Sequence, residues 1–351
     1  MFYIIIMCLA VLLVIPIKKG KNTFIAKLCY IMSFLISWLP AGLRYGIGTD
    51  YFYTYVPYFN WIGTGQKEFG EIGFNFLNKV IYNFTSDYRV LFFITSFIIL
   101  AFIYKAIWDN SENIIQSILL IFIGQCYFYS MNLVRQAIAM SIILYAFKYI
   151  KNKDYLKVAI SVFIASLFHN SSLIMIPIIL LGFLNITGIK KIIISGLVML
   201  LQPIILKIAL WILSFTKYIW YYEQGLYTES ISILLLVQNI FIFALDLYYQ
   251  RIYKNKITKE YKILSNINFI GLCSMILASN VPLIFRIVRY CTIFQILFIP
   301  KILNLSDKKE NKVIFTLLIY AFMVVCMIYQ IIICGGEGVY PYSSIFGNII
   351  K

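Results

Sequence analysis

Residues 313–333 read Val-Ile-Phe-Thr-Leu-Leu-Ile-Tyr-Ala-Phe-Met-Val-Val-Cys-Met-Ile-Tyr-Gln-Ile-Ile-Ile, without one Asp, Glu, Lys, Arg or His and with Lys312 at their leading edge. A membrane-crossing helix needs roughly 20 such residues, because every backbone amide in hydrocarbon must be satisfied within its own segment. Working outward from this stretch, apolar runs of the same kind recur near 2–17, 24–43, 88–107, 113–131, 134–150, 156–168, 171–186, 192–213, 231–249, 263–280 and 284–300. About twelve spans result. Segments 156–168 and 171–186 are short for full crossings and are parted only by His169 and Asn170, so a re-entrant pair or one broken helix is the alternative there. With 62% hydrophobic and 13% charged residues among 351, no polar block is long enough to fold apart from the membrane. The expected fold is an all-α polytopic transmembrane helical bundle, a single integral membrane domain over 1–351 with an outer loop and interfacial helix at about 44–87.

A net charge of +16 would point to nucleic acid in a soluble chain, but these cations stand in short clusters between apolar runs, as membrane insertion demands. No nucleic-acid partner is expected. The seven cysteines lie mostly inside apolar runs with no CxxC and no histidine at ligand spacing, which argues against a disulfide framework or a zinc site. If Lys18, Lys19, Lys21 and Lys27 are cytoplasmic, alternation also places Lys105, Lys148 to Lys157, Lys190 and Lys191, Arg251 to Lys262, and Lys301 to Lys312 inside. Twenty of the thirty cations then lie on the cytoplasmic side, and both termini lie outside. No small-residue cleavage motif follows the first apolar segment, which is read as a retained anchor.

That orientation exposes a second asymmetry, since nineteen of the twenty inner cations are lysines while five of the six arginines, Arg44, Arg89, Arg135, Arg286 and Arg289, fall outside. Topogenesis asks only for positive charge inside. Arginine binds phosphate through a planar fork of donors and keeps its charge when partly desolvated, so an outward site for phosphate or pyrophosphate is one reading. Snorkelling to headgroups, or pairing with Asp50, Glu71 and Asp87, is the other.

Four outer stretches carry most of the polar chemistry. Gly42-Leu43-Arg44-Tyr45-Gly46-Ile47-Gly48-Thr49-Asp50-Tyr51 sets three glycines around an arginine and an acid, and Tyr53, Tyr55, Tyr58 and Trp61 follow it. Glycine lets backbone bend and approach a ligand, and aromatic rings suit sugars, although an interfacial aromatic belt would use the same tyrosines. From Glu71 to Phe84, Ile72, Phe76, Val80 and Phe84 against Asn75, Lys79 and Asn83 give the period of an interfacial amphipathic helix. At 127–136, Asn132, Arg135 and Gln136 share nearly one face of a helix start, where an anion is favoured, with interhelical hydrogen bonding as the alternative. His169, the only histidine, lies in Leu167-Phe168-His169-Asn170-Ser171-Ser172, and it can act as a base or simply hold a helix junction. In Asn280-Val281-Pro282-Leu283-Ile284-Phe285-Arg286-Ile287-Val288-Arg289-Tyr290 two arginines stand three apart on one helical face.

Taken in order, Gly42 to Tyr51, Asn132-Leu133-Val134-Arg135-Gln136-Ala137-Ile138-Ala139, Phe168 to Ser172 and Arg286 to Tyr290 resemble the EpsG group of Wzy-type polysaccharide polymerases, over residues 42–290. The resemblance implies a GT-C-like glycosyltransferase of the bacterial cytoplasmic membrane that needs no metal, cofactor or nucleotide sugar. It implies that undecaprenyl-pyrophosphate-linked repeat units are joined on the outer face, with other polysaccharide-assembly proteins as further partners. Functional weight on outward arginines carries over to Arg135, Arg286 and Arg289, whose blocks match. Arg44, Asn132, Gln136 and Tyr290 are the remaining expected substrate-side residues.

In such a reaction an acceptor hydroxyl attacks the anomeric carbon and lipid pyrophosphate leaves, so arginines in a semi-dry cavity can take up the developing charge. A base assists the attack. His169 is the first choice, with Asp50 and Glu71 as substitutes. A lipid-linked-oligosaccharide flippase or exporter would share the span count, but it should show internal repeats and charges near the midplane, and no repeat is found. For a membrane glycan ligase or acyltransferase, the single histidine lacks the partner residues acyl transfer would want.

Overall fold

The computed structural model describes the chain except residues 216–218, 225–231, 279, 282, 348 and 351. Pro282 of the stretch quoted above therefore lies outside the described residues, as do Ile231 and Ser279 at the edges of two expected spans. The described chain is helical almost throughout, apart from the short antiparallel pairing of Tyr342–Ser343 with Ile349–Ile350. Among the described residues five helices are long and apolar enough to cross a membrane: Phe24–Gly42, Arg89–Asn110, Ile233–Ile252, Lys259–Ala278 and the run Lys309–Ile333. Counting each of three bent pairs as one span raises the number to eight.

The gap from about twelve has physical causes that apolarity alone conceals. The run 113–131 breaks into Ile114–Ile123 and Cys126–Asn132, bent by 48° where Gln125 takes a left-handed backbone at φ 63°. The run 192–213 bends by 70° between Gly188–Leu200 and Gln202–Ser214, just where Pro203 withholds an amide donor, and 284–300 bends by 47° between Ile284–Thr292 and Gln295–Asn304. Phe2–Lys18, Tyr155–Phe168 and the adjoining Asn170–Gly182 are apolar but fall below span length, and 134–150 is divided into Val134–Tyr145 and Phe147–Lys151.

The chain divides into two compact units, Met1–Leu173 with Met323–Lys351, and Ile174–Phe322. In the first, small polar side chains stitch the long helices together. Ser33 donates to Ala10 O at 2.8 Å, Ser37 and Tyr104 hydroxyls meet at 2.7 Å, and Tyr30 donates to Tyr104 O at 2.5 Å. Bonds of this kind between membrane helices are worth roughly 0.6 kcal/mol each, so they fix register more than they supply stability. Ionic groups of this unit sort to opposite ends of the Arg89–Asn110 helix. Near its C-terminus Asp109 pairs with Lys105 at 2.5 Å and Lys148 at 3.5 Å, and Lys21 donates to Trp108 O at 3.2 Å. Near its N-terminus lie Ser96 and Phe92, both in contact with Arg44. Two segments distant in sequence also meet in this unit, with the Tyr3 hydroxyl on Val339 O at 2.7 Å.

The second unit buries two polar networks. Asp246, fully buried, accepts from Tyr261 and Ser265 at 2.6 Å each and from Gln250 at 2.8 Å, with Lys191 Nζ at 3.8 Å. Lys191, placed by alternation among the cytoplasmic charges, is itself buried against this carboxylate. Gln295 donates to Asn239 at 2.7 Å and to Asn268 at 2.8 Å, joining three helices through their amides.

Candidate functional site

The loop after Phe24–Gly42 owes its path to glycine. Gly48 sits at φ 99°, and a Cβ there would stand 2.9 Å from Met131 O and 3.1 Å from Asn132 Cα. This close approach puts Asn132 against the loop, where its Oδ1 accepts from Thr49 Oγ1 at 3.1 Å and from the Asp50 amide at 3.0 Å. Its Nδ2 donates to Glu337 at 2.7 Å. The C-terminal segment closes the other side, with Gly48 N on Gly338 O at 2.9 Å and Tyr45 N on Ser343 O at 3.0 Å. Asn132 is thus the pin between loop, helix end and C-terminus.

Arg44 is buried, 1% exposed, and its donors serve the fold. They reach Ala41 O, Ser96 Oγ at 2.8 Å and Met131 O at 3.1 Å, while the guanidinium lies 4.8 Å over the Phe92 ring. Two helix ends with surplus carbonyls are tied by one cation, a favourable place for positive charge.

Arg135 has a different setting. Leu133 interrupts the helix, and a new one, Val134–Tyr145, starts with Arg135 in its first turn. Arg135 Nη1 meets Glu71 Oε2 at 2.6 Å, and Glu71 Oε1 lies 3.2 Å from His169 Nδ1. The Phe69 ring covers the guanidinium at 4.1 Å and is itself stacked on Tyr58 at 3.9 Å, while the Tyr55 hydroxyl hydrogen-bonds Arg135. Three segments far apart in sequence therefore converge on one carboxylate. Gly73 makes the meeting possible: a Cβ there would sit 2.8 Å from Leu167 Cβ, so only glycine lets the Ile72–Phe84 helix press onto the end of Tyr155–Phe168 and bring Glu71 to His169.

The electrostatics follow from this packing. Burial pushes the Glu71 carboxyl up, but the hydrogen bond from His169 and the charge of Arg135 outweigh it and hold Glu71 below the usual carboxylate range. Asp50 goes the other way. Its burial raises it above the ordinary range, opposed by the Thr54 hydroxyl and Arg135 and reinforced by Glu337. Glu71 is an anchored anion, whereas Asp50 is a stronger base than an exposed carboxylate.

Of the residues expected from sequence, Asp50, Asn132, Arg135 and His169 all lie in the first unit, His169 with Arg135 through Glu71, and Asn132 on the Asp50 amide. Gln136 is buried beside Arg135 in sequence. Arg286, Arg289 and Tyr290 belong to the second unit, on the Ile284–Thr292 helix, where Tyr290 is buried, both arginines are partly exposed, and Arg289 lies 5.7 Å from the Phe285 ring centroid. Glu337 and Phe69 are not among the residues expected from sequence, and Tyr55, read there as a sugar-stacking or belt tyrosine, instead bonds Arg135. Glu337 had a signal: it is the sole acid after Glu310 and stands among Gly335, Gly336 and Gly338. Among the described residues no three His, Cys, Asp or Glu side chains gather as a metal site.

The sequence pattern of the EpsG family matches residues 27–344, which includes every group of this cluster. The chain belongs to the EpsG family. No curated protein and no solved structure matches it. EpsG membership, together with the apolar helices, points to a membrane protein with a polysaccharide-polymerase-like function.

Proposed function

We propose that this EpsG-family protein is a metal-independent, Wzy-type glycosyltransferase that joins undecaprenyl-pyrophosphate-linked repeat units on the outer face of the bacterial cytoplasmic membrane. The observation that carries the reading is the Arg135–Glu71–His169 constellation, which sets a cation suited to phosphate beside the only imidazole in the chain. The acceptor hydroxyl oxygen bonds to the anomeric carbon, the bond from that carbon to the pyrophosphate oxygen breaks, and the hydroxyl proton passes to His169. Lipid pyrophosphate departs with the bonding electrons, its charge met by Arg135. The Gly48 loop and its tyrosines supply surfaces on which sugar rings can stack.

Deletion of the gene tests the reading. Single lipid-linked repeat units should accumulate on the outer leaflet, and accumulation confined to the inner leaflet would identify a flippase instead. Sidedness is checked by single-cysteine labelling in a cysteine-free background: an impermeant reagent applied outside should modify Ser343→Cys and miss Thr258→Cys. The reverse pattern would turn the proposed site towards the cytoplasm.

Arg286 and Arg289 are proposed to take lipid-linked phosphate in their own unit. Lysine keeps the charge at either position but loses the bidentate fork. Arg286→Lys and Arg289→Lys should each lower polymer output by roughly a hundredfold at normal membrane abundance. Wild-type polymer length in both variants would remove them from phosphate binding.

A further inference from the structure

Glu71 has two partners that the proposed reaction needs for other purposes. Arg135 is wanted by pyrophosphate, yet here one of its amino groups is held by Glu71 Oε2 at 2.6 Å; His169 is wanted by the acceptor, and it is held by Glu71 Oε1 at 3.2 Å. A carboxylate on an arginine occupies the same donors as one phosphate oxygen would. Pyrophosphate carries more charge and accepts two parallel N–H bonds from a guanidinium, so it competes well against a single carboxylate contact. We propose that Glu71 is a placeholder in the anion site of Arg135, and that arrival of the lipid pyrophosphate releases it to serve His169 alone. Glu71 is then a positioning residue that couples donor binding to base strength. The inference rests on the reading that His169 takes the acceptor proton.

The proton inventory supports this assignment. An ionised carboxylate only accepts, so the neutral His169 ring must carry its proton on Nδ1 and its lone pair on Nε2. Nε2 is thereby the atom that receives the hydroxyl proton, and the imidazolium formed is stabilised by the Glu71 charge. Competing charges are accounted for around the group. Glu68 is drawn away by Lys79 at 2.5 Å and Asn75 at 3.2 Å. Asp50 feels the charges of both Arg135 and Glu337, with Asp50 held through its amide and Glu337 through its carboxylate on Asn132, and Tyr55 is neutral near pH 7. Glu71 contacts both partners, one through each carboxylate oxygen.

The test uses the full-length protein in detergent or proteoliposomes, with inorganic pyrophosphate as the binding probe and lipid-linked repeat units for turnover. Glu71→Gln removes the competing charge and can still accept from Nδ1. Pyrophosphate should bind it about tenfold more tightly than wild type, and this gain should vanish in Glu71→Gln combined with Arg135→Gln. Polymerisation should fall by about a hundredfold. Because the negative neighbour that favours the imidazolium is gone, the acidic limb of the pH–rate profile should move to lower pH by roughly one unit. Should Glu71→Gln not accumulate in folded form, Glu71→Asp, too short to span both partners, should show the same tightening. Unchanged or weaker pyrophosphate binding overturns the placeholder, and so does a slowed enzyme whose acidic limb stays in place, which is what a merely structural Glu71 would give. Tighter binding in Glu71→Gln alongside near wild-type turnover in His169→Gln would overturn the base reading and with it the coupling, leaving the anion competition as the part that stands.

Discussion

His169→Gln is expected to lower polymer formation by about 10² to 10⁴ while lipid-linked donor still binds, the range a positioned general base contributes. Glutamine has comparable size and can donate an N–H to Glu71 as Nδ1 does, so the junction between Tyr155–Phe168 and the residues after it keeps its hydrogen bond. What it cannot do is take a proton at neutral pH. Turnover of purified variant and wild type on the same lipid-linked substrate, normalised to protein in the membrane, separates the two roles. A near wild-type rate would reduce His169 to a structural pin and make Asp50 the base to examine, since its carboxyl is raised by burial.

Which parts of this site were readable beforehand depends on whether the information was local. His169 and Arg135 stood out because each is the wrong residue for its surroundings, an imidazole and a guanidinium at the ends of apolar runs. Glu71 was legible as an outer acid and a substitute base, but not as the partner of both Arg135 and His169. Its place between Arg135 and His169 is created by the Gly73–Leu167 approach, a contact across 94 positions that no periodicity encodes. Arg44 shows the opposite case: its company of glycines and an acid suggested a ligand, but the ends of two helices claim its donors. The number of spans suffered similarly. Apolar length predicts that a segment can enter the membrane, whereas a single left-handed residue such as Gln125, or a proline such as Pro203, decides whether the helix continues straight.

Arg135→Lys should be the most damaging of the arginine substitutions, because two functions fail together. Lysine offers a compact point charge in place of a planar fork, so it loses bidentate contact with phosphate and the face-on stacking now made with Phe69 at 4.1 Å. A shorter reach also leaves Glu71 bound more to His169 before any donor arrives. Loss of transition-state charge stabilisation alone is worth about 10² to 10³ in rate, and polymer output should drop by at least that much. The contrast with Arg44→Lys makes the result interpretable. Arg44 ties carbonyls inside the fold, so its replacement should lower the amount of folded protein and the melting temperature, with activity per folded molecule nearly kept. Arg135 is partly exposed and bridges only to the cluster, so Arg135→Lys should melt close to wild type and fail in turnover. If Arg135→Lys instead loses stability and activity in proportion, Arg135 belongs with Arg44 among the tethers of the fold, and the phosphate would have to be met by other cations.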